Sequence, residues 1–298
     1  MFEAVENPYL VAGDGSFRVK KAETKPPKGA PDEAECERRL GELVVELDDL
    51  QRKLYAQDRL ALLLVFQAMD GAGKDSTIRA VMRGINPSGC QVYSFKQPSA
   101  EELDHEFLWR TARCLPERGR IGIFNRSYYE EALVVRVHPE YLAAQRIPGK
   151  LDSKGFWRDR YESIRDHERH LARNGTVVVK FWLNVSKGEQ KRRFLSRIDE
   201  PHKNWKFSAA DVKEREFWKD YMEAYEDAIN ATSRPWAPWY AIPADDKPFM
   251  RYTVAQTIVD TLKSLDLKYP KVSEATKAKF AGMRAALEGN SNSGNSGT

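Results

Sequence analysis

The N-terminal third of the chain changes from an aperiodic pattern to a helical one. Residues 1–31 are rich in Lys, Pro and Gly and show no apolar period, so we expect an extended N-terminal arm. Across residues 32–55 leucines recur every three or four positions between charged residues, at Leu40, Leu43, Leu47, Leu50 and Leu54. This spacing predicts an amphipathic helix that packs on a core, or less readily pairs with a second subunit.

A continuous apolar run, LALLLVFQA at residues 60–68, ends in a glycine loop and is typical of a strand buried on both faces of a parallel sheet. Shorter runs predict strands at 90–95, 121–124, 176–185 and 239–243. Helical patterns occupy 75–84, 101–115, 128–137, 154–173, 187–198 and 211–230. The alternation predicts an α/β domain with a five-stranded parallel sheet. We place this single domain at 32–268, followed by a C-terminal helix and flexible tail at 269–298.

Composition narrows the class of protein. The 298 residues include no apolar run of about 18, and the N-terminus lacks the basic start and apolar block of a signal peptide. We therefore expect a cytoplasmic protein without a membrane partner. Three cysteines without CxxC spacing argue against a disulfide framework or a cysteine-bound metal.

The sequence FQAMDGAGKDSTI at residues 66–78 has the strand, glycine loop and helix order of a phosphate-binding loop. Gly71 and Gly73 form the turn and Lys74 supplies the charge. Asp75 stands where the usual motif has a metal-binding Ser or Thr, while Asp70 lies inside the loop. A carboxylate at Asp70 suits Mg²⁺, since hard cations prefer oxygen ligands. Alternatively, the segment is a purely structural strand-to-helix turn, and Asp70 caps a backbone N–H instead of binding a metal.

Polar residues also follow the second and third predicted strands. Asn125 and Arg126 end the third, where an arginine is well placed for bidentate contact with phosphate. Lys96 and Pro98 follow the second, at the lip of the same crevice, where a phosphoryl acceptor is expected; Lys96 reads equally well as a surface lysine. These positions all meet at one edge of a parallel sheet.

Residues 187–206 contain seven Lys or Arg against three Asp or Glu, so the +4 charge of the whole chain equals that of this segment. Arg193 and Arg197 share a helical face and Arg192 lies about 100° away. A polyanionic partner fits this segment, as does a solvated basic face. Lys203 and Lys206 either extend the basic track or lie in solvent.

Several long motifs together resemble the polyphosphate kinase 2 family, whose members have a thymidylate-kinase-like P-loop fold of three α/β/α layers with a helical lid. The matching segments are MDGAGKDSTI, FKQPSAEELDHEFLWR, FNRSYYEEALVVRVHP, the lid segment beginning KRRFLSRIDEPHKNWK, and TSRPWAPWYAIPADDKPFMRY. The resemblance runs over about residues 10–268 and places the lid at about 187–210. It departs at Asn125, where many members have Asp.

The resemblance implies a reversible polyphosphate:AMP/ADP phosphotransferase. Inorganic polyphosphate is the implied donor, AMP and ADP the acceptors, with GMP and GDP as further candidates, and Mg²⁺ (or Mn²⁺) the cofactor. The Asn125 variant is similar to the members that phosphorylate AMP as well as ADP. The family also implies a homo-oligomer, a dimer or tetramer. Nucleic acid is not an expected partner, because the basic segment lacks interleaved base-stacking aromatics.

Together the motifs and the resemblance assign roles to individual residues. The catalytic set is Asp70, Lys74, Asn125, Arg126 and Arg193, with Asp70 as the metal ligand and Glu130 or Glu131 as a substitute second ligand. The polyphosphate contacts are Ala72, Gly73, Lys74, Asp75, Ser76, Arg126, Arg192, Arg193, Arg197 and Lys203. The nucleotide contacts are Asp70, Gly71, Lys96, Pro98, Asn125 and Glu130.

Two other functions remain open from the sequence. An ATP-dependent nucleoside monophosphate kinase would use the same fold, and a non-catalytic polyphosphate-binding protein would keep the basic lid. In the first case ATP replaces polyphosphate as the donor; in the second there is no turnover.

Overall fold

The computed structural model describes residues 1–149, 151 and 153–289. Its sheet has five parallel strands in the order β2-β3-β1-β4-β5. The strands are β1 (Ala61–Gln67), β2 (Cys90–Ser94), β3 (Ile121–Asn125), β4 (Thr176–Asn184) and β5 (Trp239–Pro243). The predicted parallel α/β sheet is confirmed.

The α-helices have the following bounds: α1 (Glu33–Gln57), α2 (Lys74–Val81), α3 (Ala100–Leu103), α4 (Trp109–Ala112), α5 (Val134–Val137), α6 (Lys154–Arg173), α7 (Lys187–Asp199), α8 (Ala209–Glu214), α9 (Trp218–Thr232), α10 (Lys247–Ser264) and α11 (Glu274–Gly289). Two groups pack together, α1 and α2 on α10, and α5 and α6 on α9. Every residue of β1, β3 and β5 is buried, so helices cover both faces of the sheet.

The strand order places the ends of β1 and β3 side by side. β1 lies between β3 and β4, and its register pairs Phe66 with Asn125. The loop after β1 therefore opens beside the residues that follow β3. This is the crevice at the carboxyl ends of parallel strands where open α/β proteins bind ligands.

The helix predictions were wrong in four places. Residues 101–115 form two short helices, α3 and α4, and 128–137 form a 3₁₀ turn followed by α5. Residues 211–230 are divided among α8, a 3₁₀ turn and α9. Helix α10 was not predicted, because its buried side chains lie all around the helix and leave no amphipathic stripe.

The N-terminal segment lies along the outer edge of the sheet. The Val11 amide donates to the Trp239 carbonyl at 2.9 Å, and the Ala241 amide donates to the Tyr9 carbonyl at 2.9 Å. The Tyr240 hydroxyl donates to the Val5 carbonyl at 2.7 Å. These bonds occupy the free edge of β5, which is otherwise open to pairing with another chain.

Met1–Leu267 form one compact unit, and a second begins at Lys268. The second unit contains α11, whose described side chains are exposed. The predicted flexible tail falls largely on residues 290–298, which lie outside the described residues. In the described part of the chain, no helix combines the length and apolar character that crossing a membrane requires.

Candidate active site

The phosphate loop spans residues 68–73, between β1 and α2. Gly71 and Gly73 have φ of 81° and 108°, values that side chains other than glycine rarely adopt. A Cβ at Gly71 would lie 2.8 Å from Phe194 Cε1. The Ser76 hydroxyl donates to the Gly73 carbonyl at 2.9 Å and Ala72 is buried. The loop therefore has the bend that aims backbone N–H groups and the start of α2 at an anion.

Lys74 is buried beneath this loop. Its Nζ donates to the Ala68 carbonyl at 2.7 Å, which uses one of its three N–H bonds. Burial lowers the pKa of Lys74 below its ordinary value, although the charge of Asp70 opposes the shift. The remaining donors are available to a phosphate in the loop.

Asp70 and Arg126 form an ion pair across the crevice. Arg126 Nη2 donates to Asp70 Oδ1 at 2.8 Å. Arg126 has a positive φ of 65°, an uncommon conformation for a non-glycine residue and one that is concentrated at functional sites. Burial opposes ionisation of Asp70, but the charges of Lys74 and Arg126 hold its pKa below the ordinary value. The two predicted phosphate cations thus converge on one carboxylate.

Glu130 and Glu131 occupy different environments. Glu130 Oε2 lies 3.9 Å from Arg126 Nη1, and burial raises its pKa despite the charges of Arg126 and Lys74. Glu131 is buried in a separate ion pair, 3.2 Å from Arg160 Nη1, and accepts from Gln145 Nε2 at 2.5 Å. Of the two candidates for a second metal ligand, only Glu130 belongs to the Asp70 site.

Asn125 contacts Asp75. Its amide nitrogen donates to Asp75 Oδ1 and lies 3.4 Å from Ser94 Oγ. An aspartate at position 125 has no N–H to donate and would place two carboxylates against each other. The neutral amide therefore suits the unusual Asp75 of the phosphate loop.

Arg193 is a clamp on the phosphate loop. All five of its N–H groups donate within the protein, at 2.6–3.1 Å, to the Glu189 carboxylate and to the carbonyls of Gly71, Ala72, Ala244 and Asp245. Gln190 Nε2, on the same helix, donates to the Asp70 carbonyl at 2.7 Å. With its donors committed within the protein, Arg193 holds the loop from outside, and its direct contact with polyphosphate stays a prediction.

Three further basic residues of the lid are paired with carboxylates, whereas Lys187, Lys191 and Lys206 have no ion pair with the described residues. Arg192 is 71% exposed and bonds to Glu189, Arg197 Nη1 lies 3.1 Å from Asp211 Oδ2, and Lys203 Nζ lies 2.6 Å from Glu200 Oε2. Arg192 is thus separated from the buried site occupied by Arg193. A phosphate chain on this surface would have to compete with those carboxylates.

A cavity of about 800 Å³ lies beyond the carboxyl ends of β2 and β3. Pro98, Phe107, Glu131 and Arg160 are among its lining residues. Arg160 lies over the rings of Phe107 and Phe156, at 4.6 and 4.8 Å from their centroids. The structure places Pro98 at this cavity, whereas the side chain of Lys96 is exposed and is not among the lining residues.

The residues around Asp70 fit a metal shared with substrate. The part of the chain that the structure describes contains no group of three or more His, Cys, Asp or Glu that could enclose an ion. Mg²⁺ is usually held by one or two carboxylates together with phosphate oxygens and water. Asp70 Oδ1 accepts from Arg126, and Oδ2 has no hydrogen bond to the described residues. Asp70 therefore retains an oxygen suitable for a metal.

A buried charge network that the sequence did not indicate supports the segment after β3. Lys180 Nζ lies 2.5 Å from Glu168 Oε2, and the hydroxyls of Tyr128 and Tyr129 each donate to Glu168 Oε1 at 2.9 Å. These tyrosines follow Arg126 by two and three residues. The network therefore holds the segment that carries Arg126. Lys180, a lysine inside an apolar strand, is the feature of the sequence that could have indicated it.

The comparisons with known proteins identify the family of the chain. The family model described as polyphosphate kinase 2 matches residues 30–270. The chain is 59% identical over 245 residues to an ADP-polyphosphate phosphotransferase from Rhodopseudomonas palustris, covering 82% of this chain and 85% of the relative. It is 42% identical over 272 residues to an AMP/ADP-polyphosphate phosphotransferase from Meiothermus ruber, covering 90% and 97%.

A solved structure gives the same result for the fold. The crystal structure of polyphosphate kinase 2 from Arthrobacter aurescens superposes with a TM-score of 0.84 at 35% identity and covers 94% of this chain and 99% of that one. The P-loop kinase-like fold expected from the motifs is thereby confirmed. By sequence match, shared fold and a phosphate loop flanked by Asp70, Lys74 and Arg126, this chain belongs to the polyphosphate kinase 2 family.

Proposed function

We propose that the chain transfers the terminal phosphoryl group of inorganic polyphosphate to AMP and ADP, reversibly, with GMP and GDP as further candidate acceptors. The observation that carries the proposal is the convergence of Lys74 and Arg126 on a phosphate loop in a chain whose relatives at 59% and 42% identity are named polyphosphate phosphotransferases. A donor without a nucleoside needs cations and backbone N–H groups rather than a base pocket.

The reaction is in-line phosphoryl transfer. An ionised phosphate oxygen of the acceptor nucleotide forms a bond to the terminal phosphorus, and the bridging oxygen leaves with the shortened polyphosphate. No general base is needed because the attacking oxygen carries no proton at neutral pH; positioning and charge neutralisation supply the catalysis. Lys74 and Arg126 stabilise the equatorial oxygens of the transferring group, and Asp70 orients Arg126.

Asp70 is the proposed ligand of Mg²⁺ (or Mn²⁺), with Glu130 nearby. When bound, the ion neutralises phosphate charge and aligns donor and acceptor oxygens. Asp70 Oδ2 supports this assignment because it makes no hydrogen bond to the described residues. Mn²⁺ binding followed by electron paramagnetic resonance, in wild type and Asp70→Asn, tests it; equal affinities would exclude Asp70 as a ligand.

The acceptor nucleoside is proposed to enter the 800 Å³ cavity that contains Pro98 and Phe107. Its position beyond the ends of β2 and β3 and its aromatic walls support this placement. The relatives differ in acceptor, one named for ADP and the other for AMP and ADP. The neutral Asn125 beside Asp75 leads us to include AMP, because it reduces the negative charge that faces a nucleotide phosphate.

Product analysis with AMP, ADP, GMP and GDP as separate acceptors tests the proposal. Purified protein is incubated with each acceptor and polyphosphate, and in parallel with AMP and ATP alone. ADP and ATP formed from polyphosphate support the proposal. ADP formed only from AMP and ATP would instead identify an ATP-dependent nucleoside monophosphate kinase, and no turnover in any mixture would leave a binding protein.

We further propose a cytoplasmic homo-oligomer, a dimer or tetramer, without nucleic acid or membrane partners. The basis for an oligomer is the family resemblance. The N-terminal segment already covers the edge of β5, so assembly would use other surfaces. Light scattering after size-exclusion chromatography measures the mass; the mass of a single chain at micromolar concentration would contradict the proposal.

A further inference from the structure

Four basic side chains near the phosphate loop have no ion pair or hydrogen bond within the described chain. They are Arg79 on α2, Arg83 just after it, and Lys247 and Arg251 on α10. Arg251 Nε is moreover buried and has no hydrogen-bond partner. Unpaired buried donors are uncommon in folded proteins and indicate a ligand or water at the site.

Three of these residues line an open groove of about 850 Å³. Arg79, Arg83 and Arg251 form its basic wall, and Asp75, Ser76 and Asn125 form the end nearest the loop. Asp75 is the sole carboxylate among the lining residues and it accepts from Asn125. The groove is therefore continuous with the phosphate loop and basic along its length. We call it the arginine groove, defined by Arg79, Arg83 and Arg251.

Like charges repel each other in this groove. Burial lowers the pKa of Arg251 and the charge of Arg79 lowers it further, while the charge of Glu37 partly opposes the shift. Lys247 lies outside the groove; burial and the charges of Arg193 and Arg251 lower its pKa, and the charge of Glu189 opposes them. Arg79 and Arg83 are exposed and hydrated, whereas Arg251 Nε is buried without a partner, so a multiply charged anion in the groove would satisfy that donor and relieve the repulsion.

The lid presents the opposite situation. Arg192, Arg197 and Lys203 each have a carboxylate partner, so an incoming phosphate chain would gain little net charge neutralisation there. The unpaired cations of the lid are the lysines Lys187, Lys191 and Lys206, which lack the fork of a guanidinium group. The arginine groove offers free guanidinium groups, which match phosphate oxygens in bidentate geometry.

We propose that the arginine groove holds the body of the polyphosphate chain while the chain end lies in the phosphate loop. This inference rests on the proposed function, since it takes polyphosphate as the donor. Arg79 lies one helical turn after Asp75 on α2, and Arg83 lies in the turn that follows the helix, so both line the groove beyond the loop. Long chains contact both the loop and the groove, whereas the shortest oligophosphates contact the loop alone.

Chain-length dependence tests the proposal. The double variant Arg79→Gln, Arg83→Gln and the single variant Arg251→Gln are compared with wild type, using long-chain polyphosphate and the shortest oligophosphate that wild type turns over. We expect KM for the long chain to rise about tenfold in the double variant, and the slope of log KM against log salt to fall by about 0.7 per lost contact, as for single-stranded polyanions. KM for the short donor and for the nucleotide should stay within about twofold of wild type, since neither contacts the groove.

The matched control is Arg52→Gln, Arg284→Gln, which removes the same charge from two exposed arginines paired only with carboxylates on their own helices. It should behave as wild type. An unchanged long-chain KM in both groove variants, with wild type active on polyphosphate, would overturn the arginine groove and leave the proposed function intact. An increase confined to the nucleotide KM would assign the groove to the acceptor and also overturn the proposal. Inactivity of wild type with every polyphosphate would instead refute the proposed function.

Discussion

The clamp formed by Arg193 gives the sharpest prediction about how the lid helix supports the phosphate loop. Replacing Arg193 with Met removes four hydrogen bonds to main-chain carbonyls and the buried contact with Glu189. Methionine fills much of the same volume, so the change isolates the polar contacts. Two of the lost bonds hold Gly71 and Ala72, at the bend of the loop.

The expected cost follows from burial. The Arg193 side chain is 6% exposed, and breaking a buried charge pair by removing one partner costs about 3–5 kcal/mol. Loss of the four hydrogen bonds to carbonyls does not raise this cost further, because water enters the site and hydrates the carbonyls. The individual losses are also not additive. We therefore expect the free energy of unfolding to fall by about 3–5 kcal/mol and kcat to fall by at least about tenfold, since the loop loses its fixed bend.

Urea unfolding and steady-state kinetics on one preparation measure both effects. Arg192→Met is the control, because Arg192 is on the same helix and bonds to the same Glu189 but is exposed; its cost should stay below about 1 kcal/mol. Unchanged stability in Arg193→Met with a large rise in KM for polyphosphate would refute the clamp. It would favour Arg193 as a direct substrate contact.

Three further predictions concern the charges around the loop and beneath it. Lys180→Met leaves Glu168 buried without its cation and should lower the free energy of unfolding by about 3–5 kcal/mol in urea titrations; a loss below about 1 kcal/mol would contradict the network. Asn125→Asp replaces the amide that donates to Asp75 with a second carboxylate, and their repulsion should lower the free energy of unfolding at pH 7 in urea titrations, whereas an unchanged free energy would contradict this contact. Burial lowers the pKa of His167 from 6.5 to about 4, so the unfolded chain takes up the proton first and stability falls as pH drops from 6.5 towards 4. His167→Phe should remove about 1.5 kcal/mol of the loss between pH 6.5 and 5 in chemical unfolding, and an unaltered pH profile would exclude His167 as its source.

The sheet and the phosphate loop were predictable because both follow from local sequence. A strand buried on both faces, such as β1, appears as an unbroken apolar run, and the following Gly71, Gly73 and Lys74 fit one known geometry. Helix α10 could not be predicted from such a local pattern. It is buried all around, so its sequence lacks the period that marks a surface helix.

The charge distribution at the site was less predictable, because pairing depends on contacts distant in sequence. The excess of Lys and Arg made residues 187–206 a candidate polyanion site in the sequence. In the structure Arg197 pairs with Asp211, and Arg193 bonds to the phosphate loop more than 100 positions away. Arg79 and Arg251 are 172 positions apart and look unremarkable in sequence. Only the packing of α2 against α10 brings these two unpaired guanidinium groups into one groove.

The proposed function requires Lys74 to neutralise a phosphoryl group transferred from polyphosphate. The most direct measurement is ATP formation from ADP and polyphosphate, without added ATP, by wild type and by Lys74→Met, with the unfolding midpoint of each protein recorded in parallel. We expect ATP formation by wild type and a loss of at least about 100-fold in the variant, with the fold retained. ATP formation at the wild-type rate by a folded Lys74→Met protein would contradict this expectation.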